Sequence, residues 1–539
     1  MITKKAALIV AQILVVFGLN AQNAPFNIVL EPFTIPELGG IQSFSVGQHN
    51  GKWLIVGGRL DGLHRRQPFA SFDLAGHNNQ LIVVDPVLQQ KWTAPLSTLP
   101  VSVQEQLRST NMQFYQDGDN LYCIGGYGYS ETEGDHTTFP NLTAIRVSSV
   151  IDAIVSGTDF TEYFRQISDP LFQVTGGGLK QINGVYHLSG GQKFIGRYNP
   201  MGPDHGPGFI QEYTNSIRKF TINDNGTTII INHLPSFTDS ENLHRRDYNV
   251  VPQILPNGDE GITLFSGVFQ PDVDLPFLNS VTIDSENYTV NNSFQQYYNH
   301  YHCAVLPLYS ESNNEMHTVF FGGIAQYYDS LGTLVQDNNV PFVKTIARVT
   351  RDAAGNLTEY KLPAEMPVFL GAGAELIPNR SLEFFENGVL KLDQITADTT
   401  LAGYIFGGIS SSAANIFWIN DGTQSQASNQ LYKVFLVNTD PLSNHQINPQ
   451  GTGTLKMQVY PNPSDGDFVV RFNLREKTDV KISLYTLSGR KIDEKNLSNL
   501  KAGENVYKKK IKNLHKGGVY LVSLETAFEK AVQKIIIEP

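Results

Sequence analysis

The chain has 539 residues, 41% hydrophobic and 11% aromatic, with 47 glycines and a formal charge of −11; that length holds a large core with an appended domain, and plentiful glycine and aromatics with few runs of helix formers favour β structure. The charge is uneven, since two lysines near the N-terminus and an excess of 16 Lys/Arg over 10 Asp/Glu in 455–539 leave 22–454 at −19. Phosphate backbones repel such an acidic body, so nucleic acid is excluded as a partner.

At the N-terminus Lys4 and Lys5 precede an apolar stretch from Ala6 to Leu19, then Asn20 and Ala21. The stretch is short for a bilayer span and has the positive-then-apolar order of a secretory signal, so residues 1–21 are expected to be removed after passage to the periplasm. The other reading is a buried N-terminal strand or helix. No later segment is apolar for long enough to cross a membrane, which predicts a mature protein without a transmembrane segment.

Six stretches then share one shape, an apolar run ending on glycine: Trp53 to Gly58, Leu121 to Gly126, Val185 to Gly191, Leu264 to Gly267, Thr318 to Gly323 and Tyr404 to Gly408. A repeated strand closing on glycine implies an array of equivalent sheets. Around the first run, Ile41 to Val46 reads as an entering strand, Asn50-Gly51 as a hairpin turn, Asn79 to Asp85 as a third strand and Lys91-Trp92 as a fourth. Later third strands are expected at 142–147, 216–222, 279–283, 344–349 and 430–437. Cys123 and Cys303 lie in runs of different repeats, and such strands seldom approach closely enough to be bridged, so two buried free thiols are expected.

These residues resemble the kelch repeat, in which an apolar strand, a glycine pair, a second apolar strand and a tryptophan follow in order; Gly57-Gly58, Leu81 to Asp85 and Trp92 match it. The resemblance implies an all-β fold, a six-bladed kelch-like β-propeller over 22–440. The spacing of 56 to 85 residues between successive glycine pairs exceeds the usual kelch period of about 50. The sixth unit stops after its third strand, whereas Phe26 to Leu30 is an unassigned strand ahead of the first. A ring must leave no open edge, so this N-terminal segment is expected to supply the missing fourth strand; the other reading is a loose arm.

Residues 441–454 turn to Pro, Asn, Gln, Gly and Thr, as a linker does. Beyond it stand Tyr460-Pro461-Asn462-Pro463 with Gly466, a run of alternating strands, then Gly518, Tyr520 and Lys534. In that order these elements resemble the type A C-terminal sorting domain of the type IX (Por) secretion system of Bacteroidetes. The resemblance implies a small immunoglobulin-like β-sandwich over 455–539, recognition by the type IX machinery, and a protein secreted or held on the outer cell surface.

Ligand contacts are expected on the loops that follow the glycine pairs and on the connections into the innermost strands, which emerge on one face as mobile segments on a rigid ring. The candidates are Arg59, Arg65, Arg66, Tyr127, Arg197, Arg245 and His302. Arginine grips carboxylates with paired hydrogen bonds and tyrosine stacks on sugar rings, although nearby Asp61, Asp73 or Glu131 could equally neutralise those arginines. His300 and His302 share one strand face, but no third ligand has a metal-site spacing, so neither a metal nor any other cofactor is expected. Nucleophile motifs and phosphate loops are absent, as are the Tyr-Cys copper chemistry of galactose oxidase and the repeated turns of sialidases. The sequence therefore points to a binding module for a glycan or a surface protein. The alternative is an enzyme on acidic sugars resembling the sialic-acid mutarotases, which would require Arg59, Arg65, Arg197 and Arg245 to converge.

Overall fold

Alternating apolar and polar residues around the glycine runs fold into six antiparallel sheets, each with four strands in line, taken in chain order in a computed structural model. It describes residues 25–202, 206, 208–330, 332–438, 455, 457–486, 491–510, 518–526 and 530–537. The expected signal (1–21) and linker (441–454) lie outside the described residues. The chain divides into two compact units, Met1–Thr439 and Asp440–Pro539.

In the first unit, the first sheet is Ser45–His49, Lys52–Val56, Gln80–Asp85 and Gln90–Pro95. The sequence reading started its entering strand too early. Gln42 forms only an isolated bridge to Arg59, and Ser43 takes a left-handed φ of 53° that breaks the extended run. The second sheet is Gln113–Asp117, Asn120–Ile124, Asn141–Arg146 and Phe164–Ser168, and the third Gly178–Ile182, Val185–Ser189, Ser216–Asp224 and Ile229–Thr238. Asn249–Ile254, Glu260–Phe265, Ser280–Ile283 and Tyr288–Asn291 make the fourth. The fifth, Ala304–Ser310, Glu315–Phe321, Thr345–Arg351 and Leu357–Glu365, gains a short parallel strand at Leu390–Lys391.

The sixth sheet joins the two ends of the unit. Its own strands are Phe369–Pro378, Thr399–Ser411 and Leu431–Asn438, and Phe26–Phe33 pairs antiparallel with the last of them, from Phe26 opposite Asn438 to Phe33 opposite Leu431. The N-terminal strand thus covers an edge that would otherwise present unpaired N–H and C=O groups.

Backbone hydrogen bonds link each sheet to its neighbours. At or just ahead of each first strand, one N–H donates to the equivalent carbonyl of the preceding sheet: Asn111 to Ser43 (3.2 Å), Gly176 to Asn111 (3.3 Å), Asp247 to Gly176 (2.7 Å), His302 to Asp247 (2.9 Å) and Gly373 to His302 (2.9 Å). Ser43 donates to Gly373 at 2.8 Å, and the cycle closes. A second cycle runs the other way from the glycine runs. Gly58 donates to Ser109, Gly126 to Val174, Gly191 to Arg245, Gly267 to His300, Gly323 to Leu370 and Gly408 to Ile41, all within 3.2 Å.

These contacts explain the glycine pairs. Gly125 has φ +66°, and a Cβ built there would stand 1.9 Å from the Val174 carbonyl oxygen. Only glycine permits both that conformation and that approach.

Apolar side chains fill the sheets and the spaces between them. Trp53, Ile55, Val84, Phe406 and Leu431 pack together where the first and sixth sheets meet, each contributing about 1.5–3 kcal/mol on burial. Both cysteines are free and buried, as expected, and burial pushes both thiols up to about 12. Among the described residues, the α-helices Val101–Leu107 and Val147–Ser156 pack into a core shared with the first two sheets. Among the described residues no helix is long and apolar enough to cross a membrane.

In the second unit, Gln458–Tyr460, Asp467–Leu474 and Gly503–Lys510 form one sheet. Lys491–Leu500, Thr478–Thr486, Gly518–Glu525 and Lys530–Ile537 form the other. One core that includes Val470, Phe472, Ile482, Leu524 and Ile535 lies between them.

Candidate functional site

A cavity of about 900 Å³ opens among the loops of the first unit, and its lining comes mainly from the connections beside the six sheets, with Ala372, Gly373 and Ile409 from strands of the sixth. Four ring positions, Ser43, Asn111, Asp247 and His302, present side chains there. The connections expected to be plain loops are partly ordered as strands. Tyr127–Ser130, Asp135–Thr138, Gln192–Ile195 and Ile210–Tyr213 make an extra four-stranded sheet shared by the second and third connections, and Tyr127, Gln192, Phe194, Gln211 and Tyr213 of that sheet face the cavity.

The most polar part of the wall centres on Arg246. Its Nη1 donates to Asp247 and its Nε to the Tyr213 hydroxyl at 3.1 Å, while the Phe269 ring lies 5.1 Å from the guanidinium carbon. Burial works against the charge of Arg246, yet Tyr213, Asp247 and Tyr301 together hold its pKa above the ordinary value. His244 stacks on Tyr213 with centroids 3.7 Å apart, and burial with the nearby Arg246 lowers its pKa. His64, edge-on to Tyr198 at 4.8 Å, is lowered to about 4, first by burial and then by Arg246. Both imidazoles are neutral at pH 7. Next along the wall, His302 Nε2 lies 3.1 Å from Glu375 Oε1. Burial lowers its pKa, but the Glu375 carboxylate and then Asp247 outweigh this and raise it overall.

Of the seven residues singled out from sequence, the structure brings Arg59, Tyr127 and His302 to the cavity. Arg59 is already gripped by Asp61, with Nε to Oδ1 at 2.7 Å and Nη2 to Oδ2 at 2.5 Å. The Tyr127 hydroxyl donates to the Gly196 carbonyl and accepts from Tyr198 N–H, so it braces the wall. Arg66 stands at the mouth, its guanidinium 4.7 Å from the Trp418 ring centroid and bonded to the Pro200 carbonyl. Arg197 bonds the Ser71 carbonyl, and Arg65 is exposed; neither lines the cavity.

Arg245 lies away from the site. It is fully buried and donates to the carbonyls of Asn242, Ser266 and Asn279 and to the Asn279 side chain, so it ties the third-to-fourth connection together. The expected face shared by His300 and His302 is not a metal pair either. His300 is buried, with Nε2 at the Gln296 carbonyl and Nδ1 accepting from Gln326 N–H.

Sequence reasoning missed Arg246, Tyr213, His244 and Trp418 as lining residues. The signal for Arg246 was present in the Arg245-Arg246-Asp247 triplet, but adjacent side chains in extended backbone point to opposite sides. The register, which only the fold fixes, decides between them.

In the tail, the motif residues converge. The Asn462 side chain donates to the Lys534 carbonyl and accepts from Ile536 N–H, both at 2.8 Å, and Ser464 N–H donates to the Ile536 carbonyl. Gly466, at φ +105°, turns the chain into the strand that starts at Asp467, and Tyr520 is buried opposite Ile535. The first and last motifs, far apart in sequence, thus form one clamp.

Residues 458–538 match the secretion system C-terminal sorting domain family. The tail is a sorting domain, and the chain is exported by type IX secretion to the cell surface. No curated protein matches the chain. Among solved structures, that of YjhT is similar with 12% identity and a TM-score of 0.40, covering 75% of this chain and 99% of that one. A RAG complex with one melted and one unmelted RSS gives 11% identity and a TM-score of 0.33, covering 76% and 99%.

Proposed function

We propose that the first unit is a six-bladed kelch-like β-propeller, closed by its N-terminal strand, which acts at the cell surface as a binding module for a glycan or a surface protein. The carrying observation is a cavity lined by the connections that flank six sequential sheets, beside two closed cycles of inter-sheet hydrogen bonds. Cavities of about 300–1,000 Å³ with aromatic walls and a few convergent polar groups are the usual form of a ligand site. In the same reading, the tail is an immunoglobulin-like sandwich that delivers the module and takes no part in recognition.

The acidic-sugar enzyme loses the support that four converging arginines would have given. Arg59 alone of the four lines the cavity, and its guanidinium is held by Asp61. The test is direct: the mature protein is immobilised and challenged with a broad set of glycans and extracted surface proteins. Retention of a ligand that competes for the cavity is expected; retention of none sinks the proposal.

A further inference from the structure

The cavity is balanced in charge. Its always-charged lining residues are Arg59, Arg246, Asp247 and Asp274, and His302, whose pKa is raised, faces the Glu375 carboxylate. Arg59 is paired with Asp61 and Arg246 with Asp247, so each guanidinium is already neutralised; Arg59 Nη1 remains without a hydrogen-bond partner among the described residues, but it offers an anionic ligand no uncompensated charge. Asp274 is exposed at the mouth and repels anions.

The polar atoms left over include both donors, such as Arg59 Nη1, and acceptors. The side-chain N–H groups of Gln211, Gln270, Asn339 and Asn415 donate to Gln192, Pro276 and Asp337. Their side-chain carbonyl oxygens have no donor among the described residues, and neither does the Asp274 carboxylate. A carboxylate, sulfate or phosphate brings only further acceptors; a polyol brings hydroxyl donors that such oxygens accept. Trp418 adds a flat apolar face at the mouth, 60% exposed and backed by Arg66, suited to the C–H face of a pyranose. The Tyr198 and Tyr301 hydroxyls face the same space from within.

We infer that the cavity binds an uncharged oligosaccharide, its hydroxyls donating to the free amide and carboxylate oxygens of the wall and one ring stacked on Trp418. This rests on the reading of the cavity as the ligand site. A volume near the top of the range for small-molecule sites favours a chain of sugars over a single ring.

The test is calorimetric titration of the purified full chain with lactose, cellotriose, chitotriose and xylotriose, set against sialyllactose and trigalacturonic acid. At least one neutral sugar is expected to bind, with an affinity that changes by less than about 2-fold between about 50 and 500 mM salt. Trp418→Ala should weaken it about 10-fold without moving the melting temperature, because that side chain is largely in solvent. If an acidic sugar binds about 10-fold more tightly than every neutral one, the inference is overturned while the cavity stands as a binding site. If no sugar of either class binds, the inference falls together with the glycan part of the proposed function.

Discussion

The N–H of Ser43 donates to the carbonyl of Gly373 at 2.8 Å, joining the start of the first sheet to the sixth. The segment that leads into the first sheet begins in the sixth, where Phe26–Phe33 lies against Leu431–Asn438. The two ends of the first unit are therefore held together by strand pairing within the sixth sheet and by single hydrogen bonds near the cavity.

Removing the rim contribution is expected to damage the whole first unit. Phe26 is 2% exposed and packs with Leu306, Phe321 and Leu436, so Phe26→Ala should cost about 3–5 kcal/mol. Deleting 26–33 should bare an unpaired strand edge and cause aggregation. Thermal unfolding and light scattering would read both, and an unchanged melting temperature for the deletion would contradict closure by this strand.

Glycine substitutions should separate turn geometry from inter-sheet contact. Gly51→Ala meets nothing within 4 Å and bears only the left-handed backbone penalty, about 1–2 kcal/mol. Gly125→Ala adds a clash with the Val174 carbonyl and should cost about 2–4 kcal/mol. Chemical denaturation of the two variants side by side gives the comparison.

Stability should fall on mild acidification. Burial holds His64, His77, His187 and His300 down to about 4 and His317 to about 3, against 6.5 for the free imidazole. Between those values the unfolded chain binds more protons than the folded one, so the stabilisation present above pH 6.5 is lost as pH falls toward 4. Melting temperatures across this window should decline, and His317→Gln should flatten the slope by one group's share.

Arg245 and Arg246 should behave oppositely. Arg245→Lys loses the fork that reaches Asn242, Ser266 and Asn279, and the melting temperature should drop while the cavity wall keeps its chemistry. Arg246→Lys should impair ligand binding more than stability. Differential scanning calorimetry with ligand titration distinguishes the two.

Asn462→Ala removes two bonds to the last strand of the tail and should destabilise that unit by about 1–3 kcal/mol. Removing 458–538 altogether should leave the protein in the periplasm, which cell fractionation detects.

Much of this architecture was legible because its signals are local. Asn50-Gly51 marks the first hairpin, the glycine runs mark five strand ends and the sixth run lies inside Thr399–Ser411, and the third strands fell within about two residues of their observed positions. The unassigned run at Phe26 was placed by the need to cover an edge. What escaped is set by long-range contacts: the extra sheet built from two connections, the helices resting on their neighbours, and the choice of Arg246 over Arg245. No local pattern encodes which of two adjacent arginines faces inward when a left-handed residue, Asp247 at φ 50°, follows them.

The pairing of Phe26–Phe33 with Leu431–Asn438 also sets an order of events in the cell. The first described strand has no lasting partner until the last strand of its unit emerges, so the nascent chain carries a sticky, half-finished margin through most of its translation. Residues 458–538 come later still in the chain, so a chain whose translation stops before residue 431 lacks both the partner of its first described strand and its export address.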